Sequence, residues 1–436
     1  MRLMLCLSAV AWMGAILPAL HVDAGHPGQK NAPTFTRDVA PILYKHCTSC
    51  HRAGEIAPMS LMTYADARPW AKAIRDEVGE GRMPPWHAEA PRGTFLHERR
   101  LSNDEKSTLV EWASNGALEG DPKDLPAAPE YAEGWTIGKP DVIFEMAEPY
   151  KVPADGIVNY EHFYIQTNFT EAKWVQAVEI RPGSRGVVHH VLAYYRAAPD
   201  QLRTPVMSPI DPEHSRLPAG SGPPGLHPSQ PGSKRLLASY APGTNAQVMP
   251  AGTALRLEPG GVIELQIHYS TNGEAAVDRT SVGLVFAKGT AHREVLASAF
   301  LNGSFTLPAG KANVSVETGV VFLQDVMVWG LFPHTHLRGK KWKYVVEFPD
   351  GTRQTVLDVP RYDFNWQTYY LFKRPLELPR GARLLGTAVY DNSAGNKSNP
   401  DPTVNVRWGD QVWEEMQYTG ILVSPAQPPR PLAREF

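Results

Sequence analysis

From about residue 139 onward the chain consists of short runs in which apolar and polar residues alternate, each interrupted by Gly or Pro. Alternation with a period of two is the pattern of a strand that buries one face. The 40 Pro and 36 Gly residues also favour turns and short strands over long helices. Because this stretch is too long for one β-sandwich, we predict two all-β antiparallel, jelly-roll-like sandwich domains, over 139–288 and 289–436.

The residues before these strands have a helical pattern. Asp38 and Pro41 fit the first turn of one helix, and the segment 67–78 fits a second. Ser102 followed by Glu105 is a capping box that predicts the start of a third helix. We therefore predict a small all-α domain over 33–118, joined to the sandwiches by a Pro- and Ala-rich linker over 119–138.

The first 24 residues predict a secretory signal peptide. Arg2 precedes an apolar region that ends near Leu20, and Val22-Asp23-Ala24 is a suitable cleavage site. The alternative is an uncleaved anchor helix, which Pro18 would interrupt. A periplasmic or secreted protein without stable membrane insertion is expected. A net charge of -2 gives no electrostatic reason to expect nucleic acid as a partner.

Cys47-Thr48-Ser49-Cys50-His51 is the attachment motif of a c-type haem. In that motif the two thiols bind the haem covalently and His51 ligates the iron. A thioredoxin-like pair would need a βαβ setting, and a zinc site would need a second pair of ligands nearby. The motif therefore predicts one covalent haem c, an electron donor to it, and a cytochrome c-like domain over 33–118.

The sixth ligand of this iron is best sought among the methionines. Met83 lies in a Met-Pro turn after the second helix, which resembles the distal loop of small bacterial cytochromes c. Met59 and Met62 are competitors, and either could instead pack in the core. We predict Met83, because a thioether ligand suits electron transfer.

Four further strings contain candidate metal ligands. His334 and His336 lie two apart after an apolar strand, so both rings can point to one face. His189 and His190 are neighbours, which can reach one metal only at a bulge or a strand end. Alternatively, one of the two is solvated. His268 lies on the polar side of an alternating strand, and Met416 taken alone would be a core residue.

Together and in this order, the four strings resemble those of the copper type II, ascorbate-dependent monooxygenases, the family of peptidylglycine hydroxylating monooxygenase and dopamine β-monooxygenase. That family hydroxylates a substrate C–H bond with O2. The resemblance implies that the Met-containing copper site is catalytic and the three-His site passes electrons. It implies two copper ions per chain, one held by His189, His190 and His268 and the other by His334, His336 and Met416.

The chain also departs from this family. Where the peptide-amidating members hold a substrate carboxylate with Arg, Asn and Tyr, this chain has Phe332, Tyr418 and Gly420. This argues against a glycine-extended peptide and favours an apolar or aromatic small organic substrate. The haem motif suggests that haem replaces ascorbate as the electron source. We expect a copper-dependent monooxygenase, the alternative being a haem-copper electron-transfer or copper-handling protein without hydroxylase activity.

Overall fold

The structure is a computed structural model that describes residues 32–55, 57–131, 134–196, 206–216, 234–241, 244, 246–289 and 293–426. The predicted signal peptide over 1–24 lies outside the described residues. None of the helices in the described ranges is long and apolar enough to cross a membrane.

Short helices form part of the N-terminal region. A π-helical turn at Phe35–Val39 leads directly into the first α-helix, which has Pro41 in its first turn. The predicted capping box is confirmed, because Ser102 accepts from the Glu105 backbone and the Glu105 side chain accepts from the Ser102 backbone. The α-helices are α1 (Ala40–His46), α2 (Tyr64–Ala67), α3 (Ala71–Gly79) and α4 (Asn103–Ser114).

The predicted fold class is wrong in its first part, because the described residues form no N-terminal all-α cytochrome c domain. Strands account for 40% of the structure and helices for 12%. Between α3 and α4 the chain is extended, and Glu89 and Phe95 form β-bridges with Asp358 and Phe372 of the C-terminal half. Pro84 and Pro85 prevent helix continuation after α3, and the exposed edges of the later strands provide the hydrogen bonds that this segment needs. Only the prediction of β-sandwiches agrees, and it agrees in part.

The rest of the described chain is β-structure. In chain order the strands are β1 (Val142–Glu145), β2 (Tyr150–Val152), β3 (Glu161–Gln166), β4 (Lys173–Arg181), β5 (Val188–Arg196), β6 (Met207–Pro209), β7 (Lys234–Tyr240), β8 (Gln247–Val248), β9 (Thr253–Leu257), β10 (Val262–Tyr269), β11 (Ala276–Asp278), β12 (Ser281–Phe286), β13 (Arg293–Leu301), β14 (Thr306–Leu307), β15 (Ala312–Phe322), β16 (Val326–His334), β17 (Gly339–Glu347), β18 (Arg353–Val359), β19 (Tyr370–Leu378), β20 (Arg383–Asp391), β21 (Val406–Arg407) and β22 (Tyr418–Pro425).

One nine-stranded sheet extends through both halves of this β-structure, in the order β1-β12-β4-β9-β13-β22-β16-β19 with β8 beside β4. A four-stranded sheet, β3-β10-β5-β7, belongs to the first half, and a five-stranded sheet, β18-β17-β20-β15-β6, belongs to the second. The halves are joined within the long sheet by the parallel pair β9 and β13. Strand β5 carries His189 and His190, and β10 carries His268. Strand β16 ends at His334, two residues before His336.

Two hydrophobic clusters fill the two halves. One contains buried residues from β4, β5, β10 and β12 together with Ala297, and the other contains buried residues from β15 to β20 together with Phe300. Strand β13 therefore contributes residues to both clusters. Ala88 and Phe95 of the extended N-terminal segment belong to the second cluster, so this segment is packed into the β-structure.

Candidate metal centre

Three histidines from two neighbouring strands converge on one point. His189 and His190 lie on β5 and His268 lies on β10, and one ring nitrogen of each lies within 4.8 Å of the others. The Nδ1 atom of His189 is 3.1 Å from Nδ1 of His190 and 3.2 Å from Nδ1 of His268. Nitrogen donors bonded at about 2 Å to a single ion have this spacing. The three Nδ1 atoms could therefore hold one metal ion.

A β-bulge makes this convergence possible. His268 is paired with His190, but the next residue on β10, Tyr269, is paired with Val188. His189 is therefore the extra residue of the bulge, and its side chain is turned to the same side as that of His190. This is the backbone irregularity that two adjacent histidines need in order to share a metal.

Burial keeps the three rings neutral, which is the form that binds metals. Burial, and to a smaller extent the neighbouring His189, lowers the pKa of His268 to about 3. The pKa of His190 is well below its usual value, again mainly through burial. The His189 pKa is lowered as well, although its Nε2 lies 3.0 Å from Oδ1 of Asn365.

A second pair of histidines lies where β16 ends. His334 and His336 are 2% and 1% exposed, and their ring centroids are 5.2 Å apart. Nδ1 of His334 contacts Oε1 of Gln367 at 2.6 Å, and Nδ1 of His336 lies 3.3 Å from the carbonyl oxygen of Glu414. Both acceptors favour a proton on Nδ1. The lone pair of each Nε2 is then free to bind a metal ion. Nε2 of His336 is buried and has no hydrogen-bond partner.

The buried carboxylate of Glu415 joins this pair to Met416. Its Oε2 accepts from the backbone N–H of His336 at 2.8 Å and from that of Met416 at 3.2 Å, and its Oε1 accepts from Arg338 N–H at 2.6 Å. His334 is paired with Tyr418 across β16 and β22, and Glu415 accepts hydrogen bonds from the backbone at both His336 and Met416. The backbone segments that contain the three residues predicted for one metal are therefore linked.

Two aromatic rings fill the space between the two histidine groups. The Tyr160 ring lies 5.4 Å from that of His190, 5.0 Å from that of His268 and 5.9 Å from that of His336. Phe364 stacks on His189 at 5.4 Å and also contacts His336 at 6.1 Å. In this arrangement the two groups are separated by one layer of aromatic side chains, whereas the family resemblance implies a solvent-filled cleft between them.

A single loop, Asp363-Phe364-Asn365-Trp366-Gln367, contacts both histidine groups. Asn365 lies against His189, Gln367 accepts from His334, and Phe364 packs between the groups. The sequence gives only a weak signal for this role, namely aromatic and amide residues concentrated in a loop. Tyr160, which precedes β3, has no sequence signal of its own.

The haem attachment motif lies after α1. Cys47 and Cys50 are free thiols, and burial raises the pKa of Cys47 to about 12. Burial lowers the pKa of His51, and its Nδ1 is buried without a hydrogen-bond partner. These three residues are therefore available for a covalently bound group.

Met83 and Met59 differ in their position relative to His51. Met83 is 41% exposed, and no described contact joins it to His51. Met59 packs on the helical core and its backbone lies close enough to the His51 ring to oppose the lowering of its pKa. The choice of Met83 as sixth iron ligand therefore stays a prediction, with Met59 and Met62 as its competitors.

A partly buried ion pair joins the segment after the haem motif to the segment before β5. Nη1 of Arg185 lies 2.7 Å from both carboxylate oxygens of Glu55, and Glu55 also pairs with Arg52 at 2.7 Å. Arg185 comes four residues before His189, so the two Cα atoms are at most roughly 14 Å apart. The ion pair therefore links a residue four positions after His51 to a residue four positions before His189.

Comparisons with known proteins do not identify a family. No family model matches the chain, and no curated protein matches it. Among solved structures, the major capsid protein P2 from bacteriophage PM2 is 7% identical, with a TM-score of 0.25 over 66% of this chain and 98% of that chain. Infectious bursal disease virus, Gx strain, is 9% identical, with a TM-score of 0.19 over 66% of this chain and 73% of that chain. Likenesses this weak carry no argument about fold or function.

Proposed function

We propose that this chain is an exported copper-dependent monooxygenase that hydroxylates a C–H bond of a small organic substrate with O2. One observation carries the proposal: three Nδ1 atoms converge at a bulge, beside a second buried histidine pair whose backbone is joined through Glu415 to that of Met416. A chain that only packed its core would have no reason to gather five neutral histidines, four of them buried, in two adjacent groups.

The donor atoms fit copper. Imidazole nitrogens accommodate both copper oxidation states, and a thioether favours Cu(I). His189, His190 and His268 would hold one ion, and His334, His336 and Met416 the other. Copper would supply one-electron chemistry and O2 activation at the Met-containing site. The haem motif fits a c-type haem, because its two thiols are free and the His51 ring has an unpaired buried nitrogen.

The protein residues around these sites would orient the ligands and exclude water. Gln367 and the Glu414 carbonyl accept hydrogen bonds from Nδ1 of His334 and Nδ1 of His336, respectively. These bonds keep the proton of each ring on Nδ1 and so fix its tautomer. Phe332 stacks on His334 with an angle of 11° between the rings, and Tyr418 packs edge-on against the same ring. These side chains would present an apolar, aromatic surface to the substrate.

A second candidate function, a haem-copper electron-transfer or copper-handling protein, is favoured by a different observation. Tyr160 and Phe364 occupy the space between the histidine groups, and His190, His334 and His336 are almost completely buried. A carrier needs no room for substrate. For the monooxygenase, Tyr160 or Phe364 would have to move to admit one.

Oxygen uptake by the reduced, copper-loaded protein distinguishes the two functions. Replacement of Met416 by Ala should lower the rate of uptake at least about 100-fold, equivalent to about 2.7 kcal/mol of activation free energy, because the thioether that stabilises Cu(I) is lost. Met207→Ala is the matched control, since it removes a thioether from the same hydrophobic cluster. Slow uptake that is the same in wild type and both variants would favour the carrier.

A further inference from the structure

Five residues form a continuous contact path from the haem attachment motif to the three-His group. Nη1 of Arg99 lies 4.0 Å from Sγ of Cys50. The same guanidinium lies over the ring of Trp366, 5.0 Å from the ring centre, which is within the range of a cation–π contact. The residue before Trp366 is Asn365, whose Oδ1 lies 3.0 Å from Nε2 of His189. The path therefore has no gap between a thiol of the motif and a predicted copper ligand.

Trp366 is the central group of this contact path. It is 8% exposed, and its Nε1 is buried without a hydrogen-bond partner in the described part of the chain. A buried N–H without an acceptor disfavours the folded state, so packing alone would be better served here by phenylalanine or leucine. What the indole adds is a large delocalised π system, the kind of side chain through which an electron passes readily between two redox groups.

A series of ion pairs holds the haem attachment motif against the first half. Arg52 donates to two backbone carbonyl oxygens inside the Cys47–Cys50 turn, at 2.6 and 3.0 Å. Its guanidinium also pairs with Glu55 at 2.7 Å, and Glu55 pairs with Arg185 at 2.7 Å. Because Arg185 lies just before β5, this series fixes the position of the motif relative to the strand that carries His189.

Tyr240, the last residue of β7, also indicates that the motif lies close to the first half. It is 8% exposed and pairs with Val191 of β5, which follows His190. Burial, and to a smaller extent Glu55 and Cys50, raises the pKa of Tyr240 to about 12. Such groups act on the Tyr240 hydroxyl only from nearby, so the ion pairs and Cys50 both face the strands of the three-His group.

We propose that the contact path carries electrons from a haem attached at Cys47 and Cys50 to the copper ion of the three-His group. This inference rests on the haem and copper of the proposed function and assigns the route between them. Cys50 would form a thioether bond at the edge of the haem, so the path starts at that edge. In each transfer one ferrous haem is oxidised to ferric haem and one Cu(II) is reduced to Cu(I), and no proton or leaving group is involved. Arg52, Glu55 and Arg185 position the two ends.

The test uses the full chain, exported from a host with c-type haem maturation, loaded with copper and kept free of O2. A laser pulse on a ruthenium complex reduces the haem, and the decay of the reduced-haem absorption band measures electron transfer to copper. Trp366→Leu should slow this transfer at least about tenfold, equivalent to about 1.4 kcal/mol of activation free energy. Trp366→Phe keeps an aromatic ring and should transfer electrons faster than Trp366→Leu. The haem reduction potential and the copper content should be unchanged in both variants.

A second measurement tests the position of the two ends without any electron transfer. Pulsed EPR measures the distance between ferric haem iron and Cu(II) in a His336→Ala background, which keeps only the copper ion of the three-His group. Arg185→Gln should broaden this distance distribution and slow the transfer, whereas Arg185→Lys keeps the cation and should behave like wild type. Arg235→Gln is the matched control, since it removes another partly buried ion pair, with Glu258, near the start of β7. It should change neither measurement.

Trp342→Leu is the control for Trp366→Leu, because it removes a buried tryptophan whose N–H has no partner in the structure from the core of the second half. If the two variants transfer electrons equally fast while haem and copper are bound, the contact path is overturned and the proposed function stands. A wild-type haem that never reduces copper would overturn the path too, and oxygen uptake with an external reductant would then still test the proposed function. Wild-type protein without covalent haem would overturn the inference together with the haem part of the proposed function.

Discussion

Replacement of Glu415 by Ala is expected to lower the free energy of unfolding by about 3–5 kcal/mol, since it leaves three buried backbone N–H groups without acceptors. Those groups belong to His336, Arg338 and Met416. The change also releases the turn that carries His336 from the segment before β22 that carries Met416. The variant should therefore bind one copper ion instead of two. Chemical denaturation and copper analysis measure the two effects.

Glu414→Ala is the control for this variant. The Glu414 side chain accepts one hydrogen bond, from Gln411 N–H at 2.9 Å, and its backbone carbonyl remains in place for the His336 ring. We expect the free energy of unfolding to fall by about 1 kcal/mol and the copper content to stay at two ions per chain. If Glu415→Ala were no less stable than Glu414→Ala, the Glu415 side chain would not be what joins the segments of His336 and Met416.

Acidification of the metal-free protein should destabilise it strongly between pH 7 and pH 5. Burial lowers the pKa of His268 to about 3 and that of His334 to about 4, so the unfolded chain binds more protons below pH 6.5 than the folded one. The stabilising contribution is complete above pH 6.5 and declines as the pH falls towards the lowered values. Each of these two rings should lower the free energy of unfolding at pH 5 by about 2 kcal/mol relative to its value at pH 7.

The pH effect includes one opposing group. Burial raises the pKa of Glu415 to about 8, so this residue disfavours the folded state as the pH rises from 5 to 7. The five histidines, whose pKa values are all lowered, outweigh one carboxyl, and the net change should be a loss of stability on acidification. Urea unfolding at both pH values measures it, with His334→Gln as the informative variant. Between pH 7 and pH 5 the free energy of unfolding of this variant should fall by about 2 kcal/mol less than that of wild type. An equal fall in both proteins would contradict the lowered pKa of His334.

The sequence supports the local features of the sites. Adjacent His189 and His190 imply a bulge if they share a metal, and β5 has that bulge beside His268. The capping box at Ser102 is another feature that depends only on neighbouring residues. Such predictions succeed because backbone period and side-chain direction are set locally.

Features that depend on distant residues could not be predicted in this way. The all-α domain was inferred from helix signals in separate segments, but the chain around Glu89 and Phe95 pairs with strands some 270 residues later. Tyr160 and Phe364 reach the histidines only through the packing of the two halves. No spacing in the sequence marks them, and the same is true of the Arg185–Glu55 ion pair.

The most direct test of this account is the content of copper and covalent haem per chain, measured on protein exported from a host with c-type haem maturation. We predict two copper ions and one haem per chain, with one copper ion lost in His190→Ala and the other in His336→Ala. One copper ion or none in the wild-type protein, with haem attached, would contradict at least one of the two copper sites and leave an electron-transfer protein.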